Sequence, residues 1–179
     1  KEVINKLPGK HAIGHNRYAT SGKTFLRNVQ PFFADLSSGG ISIAHNGNLT
    51  NSLSLRHRLV DQGAIFQSTS DTEIIIQLIA RSKRTIFINK LIDALFQIQG
   101  GYALVVMTGK KLIGVRDPFG IRPLVLGELD GSPILTSETC SLDIIGAKFI
   151  REIENGEIVV ITDNKIKSIK PFPNVNCRP

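Results

Sequence analysis

The feature that most constrains this chain is a change of texture near residue 100. Ahead of it lie three helix-like segments, and after it come seven short strand-like runs separated by turn residues. Those runs are Tyr102–Thr108, Leu112–Arg116, Pro123–Gly127, Ile134–Ser137, Phe149–Ile153, Glu157–Thr162 and Lys165–Ile169. Asn155-Gly156 and Asp163-Asn164 mark tight turns, because Asn, Asp and Gly tolerate the positive φ that short hairpin loops demand. Consecutive hairpins make antiparallel sheet. Helices gathered at one end of the sequence and strands at the other predict α+β layers, not a doubly wound parallel sheet. No glycine-rich phosphate loop opens a helix, which counts against a dinucleotide-binding unit.

The first half is read from periodicity and caps. Ala12–Ala19 reads as a strand leading into a Thr20–Lys23 loop. Ile41–His45 reads as a second strand behind the turn signal Ser37-Ser38-Gly39-Gly40. Leu49–Gln62 carries Leu49, Leu53, Leu55 and Leu59 and stops at Gly63, so it is expected to be helical. Ser70-Asp71-Thr72-Glu73 has the form of a capping box, in which the Ser70 hydroxyl takes the N3 amide and Glu73 reaches back. The apolar run Ile74–Ala80 continues that helix. A third helix is expected over Asn89–Gln99, ending at Gly100-Gly101.

With 179 residues, 41% of them apolar, the chain can bury a core without a disulfide or metal staple. Its two cysteines, Cys140 and Cys177, are too few for a disulfide framework or a four-ligand zinc site. No apolar run is long enough to span a bilayer and no signal-peptide pattern opens the chain, so the expected compartment is the cytoplasm and no membrane partner is expected. Lys and Arg number 22 against 15 Asp and Glu, a net charge of +7. The densest basic cluster, Arg81-Ser82-Lys83-Arg84, sits where a helix ends and complements its dipole. The alternation Lys165-Ile166-Lys167-Ser168-Ile169-Lys170 reads as one solvated face of a strand. No tryptophan and two tyrosines supply little for base stacking, so no nucleic-acid partner is expected. The chain opens on Lys1, its single methionine is Met107, and it closes on Asn176-Cys177-Arg178-Pro179; it is read as a fragment.

Four groups have the composition of a site: Gly14–Thr20, His45-Asn46-Gly47-Asn48-Leu49, Ser70–Glu73, and Arg116–Leu124. Each also has a plain structural reading. Asn-Gly after a strand is ordinarily a turn. Asp71 suits a first helical turn. Arg17 can be a surface charge, and Asp117-Pro118-Phe119-Gly120 a turn. His11 and His15 sit in strand context, where their spacing does not make a metal site.

Taken together, the order and spacing of these groups resemble the class II, N-terminal-nucleophile glutamine amidotransferases, from Gly14 to Thr162. Arg17-Tyr18-x-Thr20, His45–Leu49 and Ser70–Glu73 are shared by several such enzymes. Arg116-Asp117-Pro118, Gly120–Gly127 and Ser137-Glu138-Thr139-Cys140 resemble one branch of them. That branch uses ammonia from glutamine to convert phosphoribosyl pyrophosphate to 5-phosphoribosylamine in purine biosynthesis. The resemblance implies a four-layer αββα sandwich of antiparallel sheets, an amidotransferase domain over residues 1–170, and over 171–179 the start of a linker to a phosphoribosyltransferase domain.

The resemblance also implies roles. Asn46 and Gly47 would form the oxyanion hole, Arg17 would take the α-carboxylate of L-glutamine and Asp71 its α-ammonium. Tyr18 and Thr20 would lie on a loop that closes over the substrate. The nucleophile of the family is an N-terminal cysteine; neither Cys140 nor Cys177 has a free α-amine, so the piece alone is expected to be inactive as a glutaminase. No cofactor or metal is implied for this domain. Mg2+ is implied for the phosphoribosyltransferase domain, an iron–sulfur cluster near Cys177 in some members, and a homo-oligomer for the whole enzyme. Another class II amidotransferase, or a non-catalytic amidotransferase-like binding module, are the alternative readings.

Overall fold

A computed structural model describes residues 9–16 and 25–173. Arg17, Tyr18, Thr20 and Cys177, which the sequence singles out, lie outside the described residues. After a short 3-10 turn at Leu26–Asn28 come β1 (Phe32–Leu36), β2 (Gly39–Leu49), α1 (Ser52–Asp61), α2 (Thr72–Arg81) and α3 (Phe87–Leu95). Then follow β3 (Gly100–Thr108), β4 (Leu112–Arg116), β5 (Val125–Leu129), β6 (Ser132–Thr136), α4 (Cys140–Ile145), β7 (Lys148–Glu152), β8 (Ile158–Thr162) and β9 (Lys165–Ile169).

Six strands form one sheet in the order β1-β2-β3-β4-β8-β9 and three form a second in the order β6-β5-β7. Every pairing is antiparallel. Side chains alternate across a strand, and here both faces of the large sheet are apolar because both are covered. Tyr102, Leu104, Val106, Ile113, Val115, Ile158 and Val160 face one core, with Ile74, Ile75, Ile79, Leu91 and Leu95 of α2 and α3. Ala103, Leu112, Val159 and Ile161 face the other, with Leu124, Leu126, Ile153 and Leu135 from around the small sheet. The two sheets approach closely: a Cβ on Gly114 would lie 2.9 Å from Leu135. Gly127 follows Leu126 and so points outward. There it receives Leu142 of α4, which a Cβ would meet at 2.6 Å. The layers are therefore helices, large sheet, small sheet and helix, the αββα sandwich of N-terminal nucleophile hydrolases.

Asp117 ties the two sheets together. Its carboxylate is wholly buried. Oδ1 accepts the N–H groups of Phe119 at 3.0 Å and Ile121 at 3.1 Å. Oδ2 accepts those of Tyr102 at 3.3 Å and Arg122 at 3.0 Å. Arg116 closes the same loop from outside, donating to the carbonyls of Gly120, Arg122 and Ile153. This loop leads from the large sheet into the small one.

Several boundaries differ from the sequence reading. Residues 12–16 form no strand, although Ile13 packs against the second core. Leu49 ends β2 instead of opening a helix; it pairs with Gly100 and is buried, while Leu53 is 74% exposed. The buried stripe of α1 is Leu55 and Leu59 alone. The capping box is absent. Glu73 is buried and accepts the N–H groups of Gln67 and Ser68 and the Ser68 hydroxyl, and the Ser70 hydroxyl takes the Thr72 N–H. A buried carboxylate needs several donors, and the turn at residues 67–68 offers three where a box would give one. Helix α3 starts at Phe87, and Gly100-Gly101 open β3. Strand β1 and helix α4 are additions. Among the described residues no helix is long and apolar enough to cross a membrane.

Candidate functional site

A cleft of about 990 Å³ opens where β2 ends, between the start of α2 and the loop after β6. Asn46, Gly47 and Asp71 line it, as do Ser137 and Arg122 on the small-sheet side and Gly14–Asn16. The structure thus gathers three of the sequence-predicted site residues at one opening. Arg17, Tyr18 and Thr20 lie outside the described residues. Cys140 is exposed on α4 and does not line it.

Strand alternation sorts the motif His45-Asn46-Gly47 between two layers. His45 points to the helical side, where its Nδ1 lies 3.2 Å from Thr72 Oγ1. Asn46 points to the small sheet, and its Nδ2 reaches toward Ser137 Oγ at 3.4 Å. Gly47 has φ +150°, and a Cβ there would lie 2.2 Å from the Gly101 carbonyl oxygen and 2.8 Å from Tyr102 Cα. Gly100 mirrors it across the pair, with φ +132° and the Asn48 carbonyl oxygen 2.2 Å from where a Cβ would be. Glycine is required at both places because backbone, not a movable side chain, fills the space.

Asp71 is held from two sides. Its Oδ2 accepts the Leu49 N–H at 2.9 Å, and its Oδ1 lies 3.5 Å from His45 Nδ1. Burial pushes the carboxyl pKa up, but the hydrogen bond and charge of His45 with the Leu49 N–H outweigh it and leave it below the usual aspartate value. The carboxylate is therefore charged at neutral pH and 19% exposed, toward the cleft. His45 itself is buried, and its N–H donates to Gln30 Oε1 at 2.7 Å.

The segment that delivers Asp71 is fixed by groups the sequence reading missed. Asn28 and Thr69 exchange two hydrogen bonds, at 2.9 Å and 3.1 Å. Arg56 donates to the carbonyls of Ser68 at 3.1 Å and Ser70 at 3.0 Å, with its guanidinium 4.0 Å from the Phe66 ring centroid. Nothing local in sequence signals these long-range contacts. His45 was open to discovery, since a residue next to Asn46 on a strand must serve the opposite layer.

Chemically, the cleft offers a neutral amide donor on one wall and a carboxylate on another. Such a pair suits a ligand carrying both a carbonyl oxygen and a cation. Among the described residues no group of three or more His, Cys, Asp or Glu is placed to hold a metal ion.

The family model described as a glutamine amidotransferase domain matches residues 15–143, and the chain belongs to that family. Among its relatives, the amidophosphoribosyltransferase of Rhizobium etli is 55% identical, over 98% of this chain and 37% of the relative. The glutamine phosphoribosylpyrophosphate amidotransferase of B. subtilis, solved with ADP and GMP, superposes with a TM-score of 0.85 at 39% identity, over 90% of this chain and 35% of that one. A structure described as the allosteric regulatory enzyme of purine biosynthesis gives a TM-score of 0.87 at 40% identity, with the same coverage of 90% and 35%. The chain spans about a third of the length of the curated relatives it matches.

Proposed function

We propose that this chain is the glutaminase part of an amidophosphoribosyltransferase. It would hydrolyse the side-chain amide of L-glutamine to glutamate and ammonia. The ammonia would displace pyrophosphate from phosphoribosyl pyrophosphate at a second site of the whole enzyme, giving 5-phosphoribosylamine. The observation that carries this reading is the convergence of Asn46, Gly47 and Asp71 on one cleft, in a chain similar over nearly its whole length to enzymes of that name.

Each residue has a task that its chemistry suits. Attack on the amide carbonyl places negative charge on its oxygen. The Asn46 side-chain amide and the Gly47 N–H are assigned as the donors that meet it, and loss of one such donor costs about 10²–10³ in rate. Asn is suited because its NH₂ donates without carrying a charge. Asp71 receives the α-ammonium. Arg17 is assigned the α-carboxylate, which a planar guanidinium binds through two parallel N–H donors. Tyr18 and Thr20 are assigned to the loop that closes over the bound amino acid. The nucleophile of the family is an N-terminal cysteine thiolate, with the α-amine as base. Neither Cys140 nor Cys177 has a free α-amine, and neither is given the role.

The test uses the full-length enzyme with either glutamine or free ammonia as nitrogen donor. Asn46→Ala is expected to lower glutamine-dependent turnover by about 10²-fold. Arg17→Lys is expected to raise KM for glutamine. Both should leave ammonia-dependent synthesis intact. Unchanged glutamine-dependent activity in folded variants overturns the assignment.

A further inference from the structure

We propose that His45 is a positioning residue that makes the cleft select amino acids bearing an α-ammonium, by fixing the Asp71 carboxylate from the helical layer. This rests on the reading of Asp71 as the ammonium site. An ionised carboxylate has about four lone-pair sites, two on each oxygen. Leu49 N–H occupies one on Oδ2 at 2.9 Å, and His45 Nδ1 stands at 3.5 Å from Oδ1. Both oxygens are thus contacted from inside the protein, while the side chain lines the cleft and keeps 19% of its surface exposed. The carboxylate is held in one orientation before any ligand arrives. An ammonium that meets it need not repay the entropy of ordering it.

The arrangement also fixes the proton on His45. A lone pair on Nδ1 facing a carboxylate oxygen would be repelled, so the proton belongs on Nδ1. Thr72 Oγ1, at 3.2 Å from Nδ1, already accepts the Ser70 hydroxyl at 3.1 Å and shares the same ring proton through its second lone pair. The other ring nitrogen, Nε2, is buried and has no hydrogen-bond partner among the described residues. A His held with one face in a network and the other in the core cannot swing to another task. The ring is rigid because β2 places it, with its own N–H bound to Gln30.

The experiment compares L-glutamine with 4-carbamoylbutanoate, the same molecule without its α-ammonium, in steady-state kinetics of the full-length enzyme, reading KM for the first and the constant for competitive inhibition by the second. The wild type should favour L-glutamine. His45→Leu should weaken L-glutamine by about tenfold to a hundredfold, the loss of one charge-assisted hydrogen bond, and leave 4-carbamoylbutanoate within about twofold. His45→Asn puts an amide N–H where Nδ1–H stands and should recover L-glutamine binding to within about threefold of wild type. Equal losses for both ligands in a folded His45→Leu protein, or no loss for either, overturn the proposal while leaving the Asp71 reading intact. A wild type that shows no preference for the ammonium overturns that reading and His45's role with it. Nitrogen-15 spectra of wild-type histidine need no variant to fold: a proton on Nδ1 supports the proposal, and a proton on Nε2 alone overturns it.

Discussion

Replacing Glu157 by Gln tests how the two sheets are clasped. Arg151 lies on β7 of the small sheet, and Glu157 lies just before β8 of the large one. The guanidinium forks onto the carboxylate at 2.8 Å and 2.7 Å, and the Glu154 N–H adds a third donor at 2.7 Å. Burial alone pushes the Glu157 pKa up, but the Arg151 fork, the Glu154 N–H and the Ser168 hydroxyl overcome it and bring it down to about 2. A fall from 4.5 to about 2 is worth up to roughly 3 kcal/mol. Arg151 is 36% exposed at its side chain, so solvent screening reduces that to about 2 kcal/mol.

The sign follows from proton binding. The folded pKa lies below the unfolded one, so the native state holds fewer protons. The contribution is full above the unfolded value and is lost as pH falls toward the folded one, a window from about pH 4.5 to about pH 2. Urea unfolding of wild type and Glu157→Gln across that window isolates the one group from every other carboxylate. At neutral pH the midpoint should drop by about 1 M, taking a slope of about 2 kcal/mol per molar for a chain this long. The gap should close by about pH 2. A gap that stays constant with pH refutes the clasp as an electrostatic contact.

Gly47→Ala should destabilise by more than about 3 kcal/mol, read as a fall in Tm, because its Cβ meets backbone of the paired strand and cannot be relieved by a rotamer change. Asp117→Ala strands four N–H groups; the buried Tyr102 donor alone costs about 1–3 kcal/mol, the loop donors partly recover through water, and hydrogen exchange should speed up at Tyr102, Phe119, Ile121 and Arg122 together. Asp71 keeps its charge below the usual carboxylate range, so L-glutamine affinity, measured by calorimetry, should hold constant through mild acid and fall only once pH drops under about 4.

Much of this architecture is legible in residue order. β4 and β9 occupy Leu112–Arg116 and Lys165–Ile169 as read, and the other late strands differ by a residue or two. What failed did so for physical reasons. Leu49 and Leu53 share a helical spacing, but spacing cannot show that β3 would pair with residues 46–49 and draw Leu49 into a strand. Glu73 has the spacing of a capping residue, but it is bound by a turn whose path depends on Asn28 and Arg56, distant in sequence. β1 is an edge strand with a mixed pattern, and α4 anchors through Leu142 alone. The motif residues Asn46, Gly47 and Asp71 are visible as types; their convergence depends on where β2 ends beside α2.

The pair of close approaches at Gly47 and Gly100 has a further consequence for how the protein can go wrong. A slip of β2 by one residue would send His45 and Asn46 to each other's layers and turn Ile41, Ile43 and Leu49 out of the helical core. That mistake is sterically barred. Shifting either way puts the side chain of Asn46 or Asn48 against the carbonyl of Gly101, where no Cβ fits. The strand thus proofreads its own alignment: the two glycines admit one register, and that register is the one that turns Asn46 toward Ser137 and His45 toward Asp71.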